Sequence, residues 1–350
     1  MVSILSHAFI RRGHEVILTT QWHSENEYEI DKQVKRISVG LTDKDSNRSR
    51  LYKAWLRFAR LRRCIRAEKP DLVISFCNKA NFRSAFAMFG MKIPLLTSVR
   101  NDPQVDYAPY KIPTWHMERK ASGCVFQTPD AMHFFSPKFQ KKSRIIFNPL
   151  SEKFLDAKDK VSRMAIRKKE IVTVGRISRQ KNQLLLLRAF QPLLTKYPEY
   201  ILKIYGDIQE KDYYEELQEY ISSSSLQDNV LFMGVTDALQ EEMQDAAVFV
   251  LPSDYEGMPN ALIEAMALGL PCIATDCPCG GSALLIENGV SGILVPTGQA
   301  EPLQQALDEM LSSPEKAEAM GKNATKILEK VHPDKICDDW IAYINSLLLN

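Results

Sequence analysis

The stretch from residue 246 to residue 276, AAVFVLPSDYEGMPNALIEAMALGLPCIATD, restricts the fold of this chain more than any other. Residues 246–252 and 271–276 are continuous apolar runs of strand length. Between them, turn residues precede Pro259, which suits the first turn of a helix, and good helix formers fill positions 261–268. The pattern predicts a buried strand, an acidic loop, a short helix and a second buried strand, which is the unit of a parallel α/β sheet.

Two carboxylates frame this unit. Glu256 lies in the expected loop and Glu264 in the expected helix, with seven residues between them. Ligands of open α/β sheets bind beyond the carboxyl ends of the strands, where this loop would lie. A helical acid there suits the hydroxyls of a ribose, and a loop acid suits a sugar. Two solvated acids near a helix start are the plain alternative.

The remaining chain alternates strand-like and helical segments, as βαβ units do. We therefore predict an α/β protein with two Rossmann-like, doubly wound parallel-sheet domains, one at 1–150 and the other at 151–333. The seam lies near Pro149, and the last helix, at 334–350, is expected to complete the first domain. The expected strands are 15–20, 35–40, 72–76, 94–99, 123–128, 143–148, 170–176, 200–206, 229–234, 246–252, 271–276 and 292–296.

The beginning of the chain departs from this scheme. Residues 1–13 have the pattern of an amphipathic helix that ends at Gly13 and runs directly into a strand. A doubly wound domain opens with a strand and a glycine-rich turn before its first helix. We therefore expect the first strand and the Gly-rich turn of the N-terminal domain to be missing.

Composition limits the class of protein. Apolar residues make up 45% and charged residues 25% of the 350 residues, as in globular proteins, and no apolar run approaches the ~18 residues of a spanning helix. The N-terminus does not read as a signal peptide. Seven cysteines at irregular spacing predict reduced thiols in a cytoplasmic protein, and Cys277 with Cys279 lacks the further ligands of a zinc site, so no metal is expected.

The net charge of +2 conceals a strong asymmetry. Residues 1–150 hold 26 Lys and Arg against 13 Asp and Glu, whereas the other 200 residues hold 19 against 30. Such a split between the halves of a chain indicates that the first half meets an anionic surface or ligand.

Residues 48–69 concentrate this charge, with nine Lys or Arg and one acid around an apolar stripe at helical spacing. The stripe comprises Leu51, Ala54, Trp55, Phe58, Leu61 and Ile65. We predict that this helix binds an anionic membrane surface or a diphosphate headgroup through Arg57, Arg60, Arg62, Arg63 and Arg66. A basic helix that packs on its own sheet, and a nucleic-acid contact, are the alternatives.

Other strand ends carry polar residues or glycine. Arg176 and Lys181 follow the strand that ends at Gly175 and precede a helix, where a diphosphate would rest. Gly206 and the Met233 strand end would allow close backbone approach to a ligand. Turns and exposed cations are the alternatives.

In the first half, Arg100, Asn101 and Asp102 close a strand and form a plausible acceptor-side site, or alternatively a capped turn.

These motifs together resemble a known family. Five signatures occur in order: Gly175-Arg176 with Lys181, Glu256 to Glu264, Gly269 to Asp276, Gly280-Gly281, and Asn288-Gly289 before Gly292. They resemble the retaining glycosyltransferases of family 4, whose GT-B fold has two Rossmann-like domains facing a cleft. The resemblance is dense from about residue 170 to 300 and looser from 13 to 150. The basic helix resembles one found in relatives that elongate polyprenyl-diphosphate-linked glycans.

The resemblance implies roles for the matching residues. Arg176 and Lys181 would bind the donor diphosphate, Glu264 the ribose hydroxyls, and Glu256 the donor sugar. The backbone of Gly257, Met258, Pro259 and Asn260 would line the sugar pocket. Gly175, Gly206 and Met233 are the other positions that we predict on the donor side.

We therefore expect a metal-independent, retaining hexosyltransferase without cofactor, which moves a hexose or N-acetylhexosamine from a UDP-sugar to a lipid-linked or polysaccharide acceptor. It would be cytoplasmic and peripheral on the inner face of the cell membrane, with no nucleic-acid partner. A UDP-N-acetylhexosamine 2-epimerase of the same fold, and a truncated form that binds nucleotide or membrane without turnover, are the alternatives.

Overall fold

The structure is a computed structural model that describes residues 1–21, 30–155 and 167–349. The chain divides into two compact units. Unit 1 comprises Met1–Pro149 and Pro333–Asn350, and unit 2 comprises Leu150–His332. Both units alternate helices with parallel strands. Within the described ranges, no helix is long and apolar enough to cross a membrane.

Unit 1 contains two parallel sheets in its described residues, of two and four strands. The strands of the first sheet are β1 (Ile17–Thr20) and β2 (Lys35–Ser38), and those of the second, in spatial order, are β3 (Val73–Phe76), β4 (Leu95–Ser98), β5 (Gly123–Phe126) and β6 (Ser143–Ile145). The helices are α1 (Val2–Arg11), α2 (Arg50–Glu68), α3 (Asn78–Ala87), α4 (Pro103–Asp106), α5 (Lys111–Lys120), α6 (Pro129–His133), α7 (Pro137–Lys141) and the final helix, α16 (Pro333–Leu348).

The final helix belongs to unit 1 because it shares a core with the first helix. Leu5 and Phe9 of α1 and the fully buried Trp340 of α16 pack with Leu96 and Val125 from the four-stranded sheet. Burial of side chains this large contributes on the order of 2 kcal/mol each, which holds the two ends of the chain on one sheet.

The described residues of unit 2 form one six-stranded parallel sheet, with the spatial order β12-β11-β10-β7-β8-β9. Its strands are β7 (Lys168–Val174), β8 (Ile201–Tyr205), β9 (Val230–Gly234), β10 (Ala246–Leu251), β11 (Cys272–Asp276) and β12 (Ile293–Pro296). Its helices are α8 (Gln183–Phe190), α9 (Lys211–Ser223), α10 (Leu239–Met243), α11 (Asn260–Ala267), α12 (Gly281–Leu285), α13 (Ala300–Ser312), α14 (Pro314–Ala324) and α15 (Leu328–Val331).

This strand order is that of a doubly wound sheet with a topological switch point. The chain starts in the middle at β7, proceeds outward to β9, and returns to the other side at β10. The loops after β7 and β10 therefore leave the sheet in opposite directions from adjacent strands, which opens a crevice between them. The sequence predicted both loops as ligand sites, but only the strand order places them side by side.

All twelve expected strands have a counterpart, most of them one to three residues shorter than predicted. One helix start was wrong. Pro259 is the N-cap residue of α11 rather than part of its first turn, and the helix runs from Asn260 to Ala267. Gly269 follows with φ 72°, a left-handed conformation that ends a helix with little strain only for glycine.

Candidate functional site

The loops after β7 and β10 meet in an ion pair. Lys181 Nζ lies 2.5 Å from Glu256 Oε1, and Ser253 Oγ lies 2.7 Å from the same oxygen. Glu256 is buried, and the Lys181 side chain is only 15% exposed. The structure thus brings together two residues that the sequence assigned to different parts of a donor. It also adds Ser253, which lies in the predicted turn and was not predicted as a site residue.

Both hydrogen bonds converge on one carboxylate oxygen. Among the described residues, no group is hydrogen-bonded to Glu256 Oε2, so this oxygen can accept a bond from a ligand hydroxyl. Lys181 carries three N–H donors and uses one of them here. The pair is therefore able to hold both an anion and a hydroxyl group without being broken.

A second set of hydrogen bonds clamps the two loops. Asn182 Nδ2 donates to Asp254 Oδ1 at 2.7 Å, and the Asp254 N–H donates to the Gln180 carbonyl at 2.9 Å. Gln180 Nε2 donates to the Tyr255 carbonyl at 3.0 Å. These residues fix the spacing between Lys181 and its partner. They could not be predicted from local sequence patterns, because the paired residues are 72 to 75 positions apart.

Asn182 also begins α8. Its φ of 46° is left-handed, which asparagine tolerates better than most residues, and its side chain accepts from the Leu185 N–H at 3.2 Å. One side chain therefore caps the helix and holds the neighbouring loop.

Arg176 is exposed at the same edge of the sheet. Among the described residues, its side chain makes one hydrogen bond, from Nη2 to Gln180 Oε1 at 3.4 Å. Its carbonyl accepts from Gln183 Nε2 at 2.9 Å, which ties this backbone to the start of α8. The guanidinium is thus available for an anion beside Lys181.

Two glycines allow the backbone to close around these cations. A Cβ on Gly206, whose φ is 144°, would lie 2.0 Å from the Gly175 carbonyl oxygen. A Cβ on Gly175 would lie 3.1 Å from the Lys181 side chain. Gly206 is therefore required for the contact between the ends of β8 and β7, and Gly175 makes room for Lys181. Met233, at the end of β9, is 39% exposed.

Glu264 lies on α11 and is half-buried. Burial raises the pKa of its carboxyl to about 7, and no hydrogen-bond or ion-pair partner for this carboxyl exists within the described part of the chain. Buried acids with a raised pKa cluster at functional sites, so Glu264 is a candidate ligand-binding residue.

The predicted sugar-pocket segment is mostly buried in unit 2. Gly257, Met258 and Pro259 are buried, and Asn260 is exposed. A Cβ on Gly281 would lie 1.9 Å from the Gly257 carbonyl oxygen, so the start of α12 approaches this segment directly.

The residues that were predicted for the acceptor side lie in unit 1, where β4 ends and α4 begins. Asp102 is buried and is the N-cap of α4, since its side chain accepts from the Gln104 N–H at 2.9 Å. This is the capped turn that was the alternative to an acceptor-side site. A role of this turn on the acceptor side stays a prediction. Asn101 beside it is half-buried.

Arg100 is held by amides rather than acids. It donates to Asn148 Oδ1, which also contacts the Gln127 side chain, and both amide residues are buried. No carboxylate among the described residues pairs with it, and burial lowers its pKa to about 10. Neither Asn148 nor Gln127 was predicted as a site residue.

The basic helix α2 also requires a correction. Arg60 Nη2 lies 2.8 Å from Asp45 and also donates to the Gly40 carbonyl, while Arg62 donates to the Ala87 and Phe89 carbonyls. Arg60 is therefore paired with an acid within unit 1 and is not a free cation, contrary to the prediction. Arg62 is anchored to carbonyls, but no carboxylate among the described residues pairs with it. Arg63 and Arg66 are exposed, and Arg57 is half-exposed.

All seven cysteines are free thiols. The described residues contain no group of three or more His, Cys, Asp and Glu with the geometry of a metal site.

Two family models match the chain. The model of "Glycosyl transferases group 1" matches residues 156–327, and that of "Glycosyltransferase Family 4" matches residues 1–149. Together the two matches span nearly the whole sequence.

The chain is also similar to individual proteins. It is 31% identical over 172 residues to an uncharacterized glycosyltransferase of Haemophilus influenzae, covering 49% of this chain and 48% of that protein, so the match spans about half of that relative. It is 25% identical over 342 residues to an α-1,4-N-acetyl-D-galactosaminyltransferase of Campylobacter jejuni, and the match covers 95% of this chain and 90% of that protein. The name of that relative specifies an acceptor linked to diNAcBac-PP-undecaprenol. The crystal structure of Anabaena HepE in complex with UDP and glucose has a similar fold, with a TM-score of 0.81, 18% identity, and coverage of 98% of this chain and 96% of that one.

Proposed function

This chain belongs to the glycosyltransferases that these two models describe, with two parallel-sheet α/β domains like those of GT-B enzymes, and we propose that it is a retaining hexosyltransferase specific for a UDP-sugar. The acceptor that we propose is a lipid-linked glycan or a polysaccharide. The observation that carries this proposal is the grouping of Lys181, Glu256 and Arg176 at the switch point of unit 2. The names of the Campylobacter relative and of the HepE complex support the acceptor and donor classes.

The proposed mechanism begins with charge. A nucleoside diphosphate leaving group gains negative charge as the glycosidic bond breaks, and cations placed beside it stabilise that charge. Arg176 and Lys181 supply two such cations through the guanidinium and through the N–H donors that Glu256 does not use. In this proposal the protein's own cations perform this role, and no metal or cofactor takes part.

The two carboxylates orient the donor in this proposal. Glu256 is held rigidly by Lys181 and Ser253, and its Oε2 accepts a hydroxyl of the donor sugar. Glu264 accepts the ribose hydroxyls, which supply the hydrogen bonds that its carboxyl lacks in the protein. Retention follows from attack on the same face that the diphosphate leaves, with a departing phosphate oxygen taking the acceptor proton.

Arg100 and Asn101 are the residues of unit 1 that we propose for the acceptor side, because the guanidinium of Arg100 lacks a carboxylate partner in the described chain. Asp102 serves in the same turn as its cap. We further propose that the protein acts in the cytoplasm, peripherally at the inner face of the membrane, where a lipid-linked acceptor would be found.

The test is UDP release from a panel of UDP-sugars, with and without a polyprenyl-diphosphate-linked acceptor. Transfer with one donor, giving a product with the anomeric configuration of that donor, is expected. Inversion would contradict the retaining mechanism, and a 2-epimer formed without acceptor would establish the epimerase instead.

Transfer should survive EDTA, because the proposed charge stabilisation comes from Arg176 and Lys181. The rate is measured after dialysis against the chelator and again after Mn²⁺ is added back. Loss of activity that Mn²⁺ restores would contradict the cation-based mechanism.

A further inference from the structure

Three helices of unit 1 expose large apolar side chains on one surface, which we call the aromatic face. On α2, Trp55 is 58% exposed, and at the end of α3, Phe86 and Phe89 are 40% and 69% exposed. On α5, Ile112 and Trp115 are 75% and 58% exposed. Single exposed apolar residues are ordinary, but a group that spans three helices is typical of an interaction surface.

Ring contacts join the helices across the aromatic face. Phe58 of α2 contacts Phe86 of α3 edge-on, with ring centroids 6.0 Å apart. Phe86 stacks on His116 of α5 at 4.2 Å with an interplanar angle of 15°. Arg62 of α2 donates to the Phe89 carbonyl at 2.8 Å, which fixes the end of α3 against α2. These contacts hold together the three helices that carry the exposed side chains.

The apolar stripe of α2 divides into two parts on this surface. Leu61 and Ile65 are buried and attach the helix to unit 1. Leu51 is 84% exposed, and Trp55 lies one turn further along beside Tyr52, with ring centroids 5.6 Å apart. A helix whose apolar stripe served only its own core would bury both parts, so the first half of α2 remains available for a partner.

The three helices that carry the aromatic face are strongly basic. The helices α2, α3 and α5 contain twelve Lys or Arg and only two acids, Glu68 and Glu118. Glu68 pairs with Lys35 at 2.6 Å, and Glu118 accepts a hydrogen bond from Ser136. The basic residues have few acids to neutralise them within these helices, so this surface attracts anions.

Some cations sit directly beside the apolar side chains. The Arg119 guanidinium lies over the Trp115 ring at 4.9 Å, which places a charge next to an exposed aromatic. Arg83 of α3 lies close to Arg57 of α2, and burial together with that like charge lowers its pKa. An anion bound between the two guanidiniums would relieve their repulsion.

We propose that the aromatic face docks on an anionic lipid bilayer. Ile112, Trp115 and Phe89 enter the interface, and Arg57 and Arg119 contact lipid phosphates. Aromatic and aliphatic side chains bordered by cations are the composition that binds at the level of the headgroups. This inference rests on the proposed function only for its purpose, which is to bring a lipid-linked acceptor to the enzyme.

The test is flotation of the full chain with phosphatidylcholine vesicles that contain or lack phosphatidylglycerol, at low and high salt and without any sugar donor. The wild type should bind the anionic vesicles, and Trp emission should shift to the blue. Ile112→Asp with Trp115→Asp should weaken binding at least about tenfold at both salt concentrations, because apolar insertion is not screened. Arg57→Ser with Arg119→Ser should weaken it roughly 30-fold in low salt and little in high salt.

The matched control is Val235→Asp in unit 2, where the residue is 74% exposed, as Ile112 is. It should bind vesicles like the wild type. Circular dichroism and the thermal midpoint check that every variant is folded, and size-exclusion chromatography checks its oligomeric state.

Unchanged vesicle binding of the Ile112 and Trp115 double variant would overturn the proposal, as would equal binding of the wild type to uncharged vesicles. A dimer in solution that this variant dissociates would show that a second copy of the chain covers the aromatic face. If the protein bound vesicles but transferred sugar from no donor, the proposed function would be refuted and the membrane-docking proposal would still hold.

Discussion

Replacing Glu264 by glutamine tests whether this residue binds the ribose, because burial makes ionisation of its carboxyl unfavourable in the folded protein. Its pKa is raised by burial from 4.5 to about 7, so the folded protein resists its ionisation. The unfolded chain ionises freely above pH 4.5. The stabilisation of the fold by protonated Glu264 is therefore complete below pH 4.5 and is lost as the pH rises through 7.

The size of the effect follows from the two pKa values. Between pH 5.5 and pH 8 the unfolding free energy of the wild type should fall by about 2 kcal/mol through this group alone. Glu264→Gln keeps the size and shape of the side chain but has no proton to lose. The variant should therefore gain about 2 kcal/mol relative to the wild type between the two pH values.

The same charge should govern nucleotide binding. Ribose hydroxyls donate to a carboxylate, so UDP favours the ionised form, and its affinity should rise about 30-fold from pH 5.5 to pH 8 if only that form binds. Glu264→Gln should lose about 1–3 kcal/mol of UDP binding at pH 8 and most of the pH dependence. The substitution would thus stabilise the fold while it weakens the site.

Urea unfolding and UDP calorimetry at both pH values measure the two effects on the full chain. Glu219→Gln, at an exposed position of α9, is the control and should change neither quantity. A Glu264→Gln variant whose stability follows pH as the wild type does would refute the argument from burial. Unchanged UDP affinity at pH 8 would refute the ribose assignment.

Two further substitutions test the switch-point geometry. Lys181→Met leaves Glu256 buried without its cation, so the free energy of unfolding should fall by about 3–5 kcal/mol, measured from the thermal midpoint. Adding Glu256→Gln should restore part of this stability. If Lys181→Met alone left the stability unchanged, the two residues would not be a coupled pair. Gly206→Ala places a Cβ 2.0 Å from the Gly175 carbonyl oxygen. Gly289→Ala is the control, because its Cβ would meet nothing within 4 Å and only backbone strain of ~1–2 kcal/mol is expected. Gly206→Ala should lower the free energy of unfolding by well over that amount. Equal denaturation midpoints for the two glycine variants would show that the close approach is not required.

The secondary structure was largely readable from the sequence. Apolar runs of strand length predicted β10 and β11 to within one residue, and the residues between them predicted α11 with a helix start one residue early or late. Local patterns suffice here because strands buried on both faces must be apolar throughout. The cap at Asp102 shows the limit, since an acid before Pro103 has the same pattern whether it caps a helix or meets a ligand.

The number of cations could be predicted from the sequence, but not which of them remain free to bind a ligand. The sequence showed nine cations between residues 48 and 69, yet Arg60 and Arg62 are held by Asp45 and by carbonyls of the chain. Which cation remains free depends on neighbours brought by other elements. The exposed Ile112 and Trp115 were not singled out for the same reason, because exposure depends on what packs around a residue and not on its type.

The sequence by itself determined the parallel α/β class, the strand–loop–helix unit, and the residue types able to bind a nucleotide sugar, because these depend on periodicity and on chemistry within short segments. The tertiary structure alone decided that Lys181 and Glu256, 75 residues apart, form one pair on adjacent strand ends. It also decided that Glu264 is desolvated and that α2, α3 and α5 present a common face. Distances and burial arise from strand order and packing, which no local pattern contains.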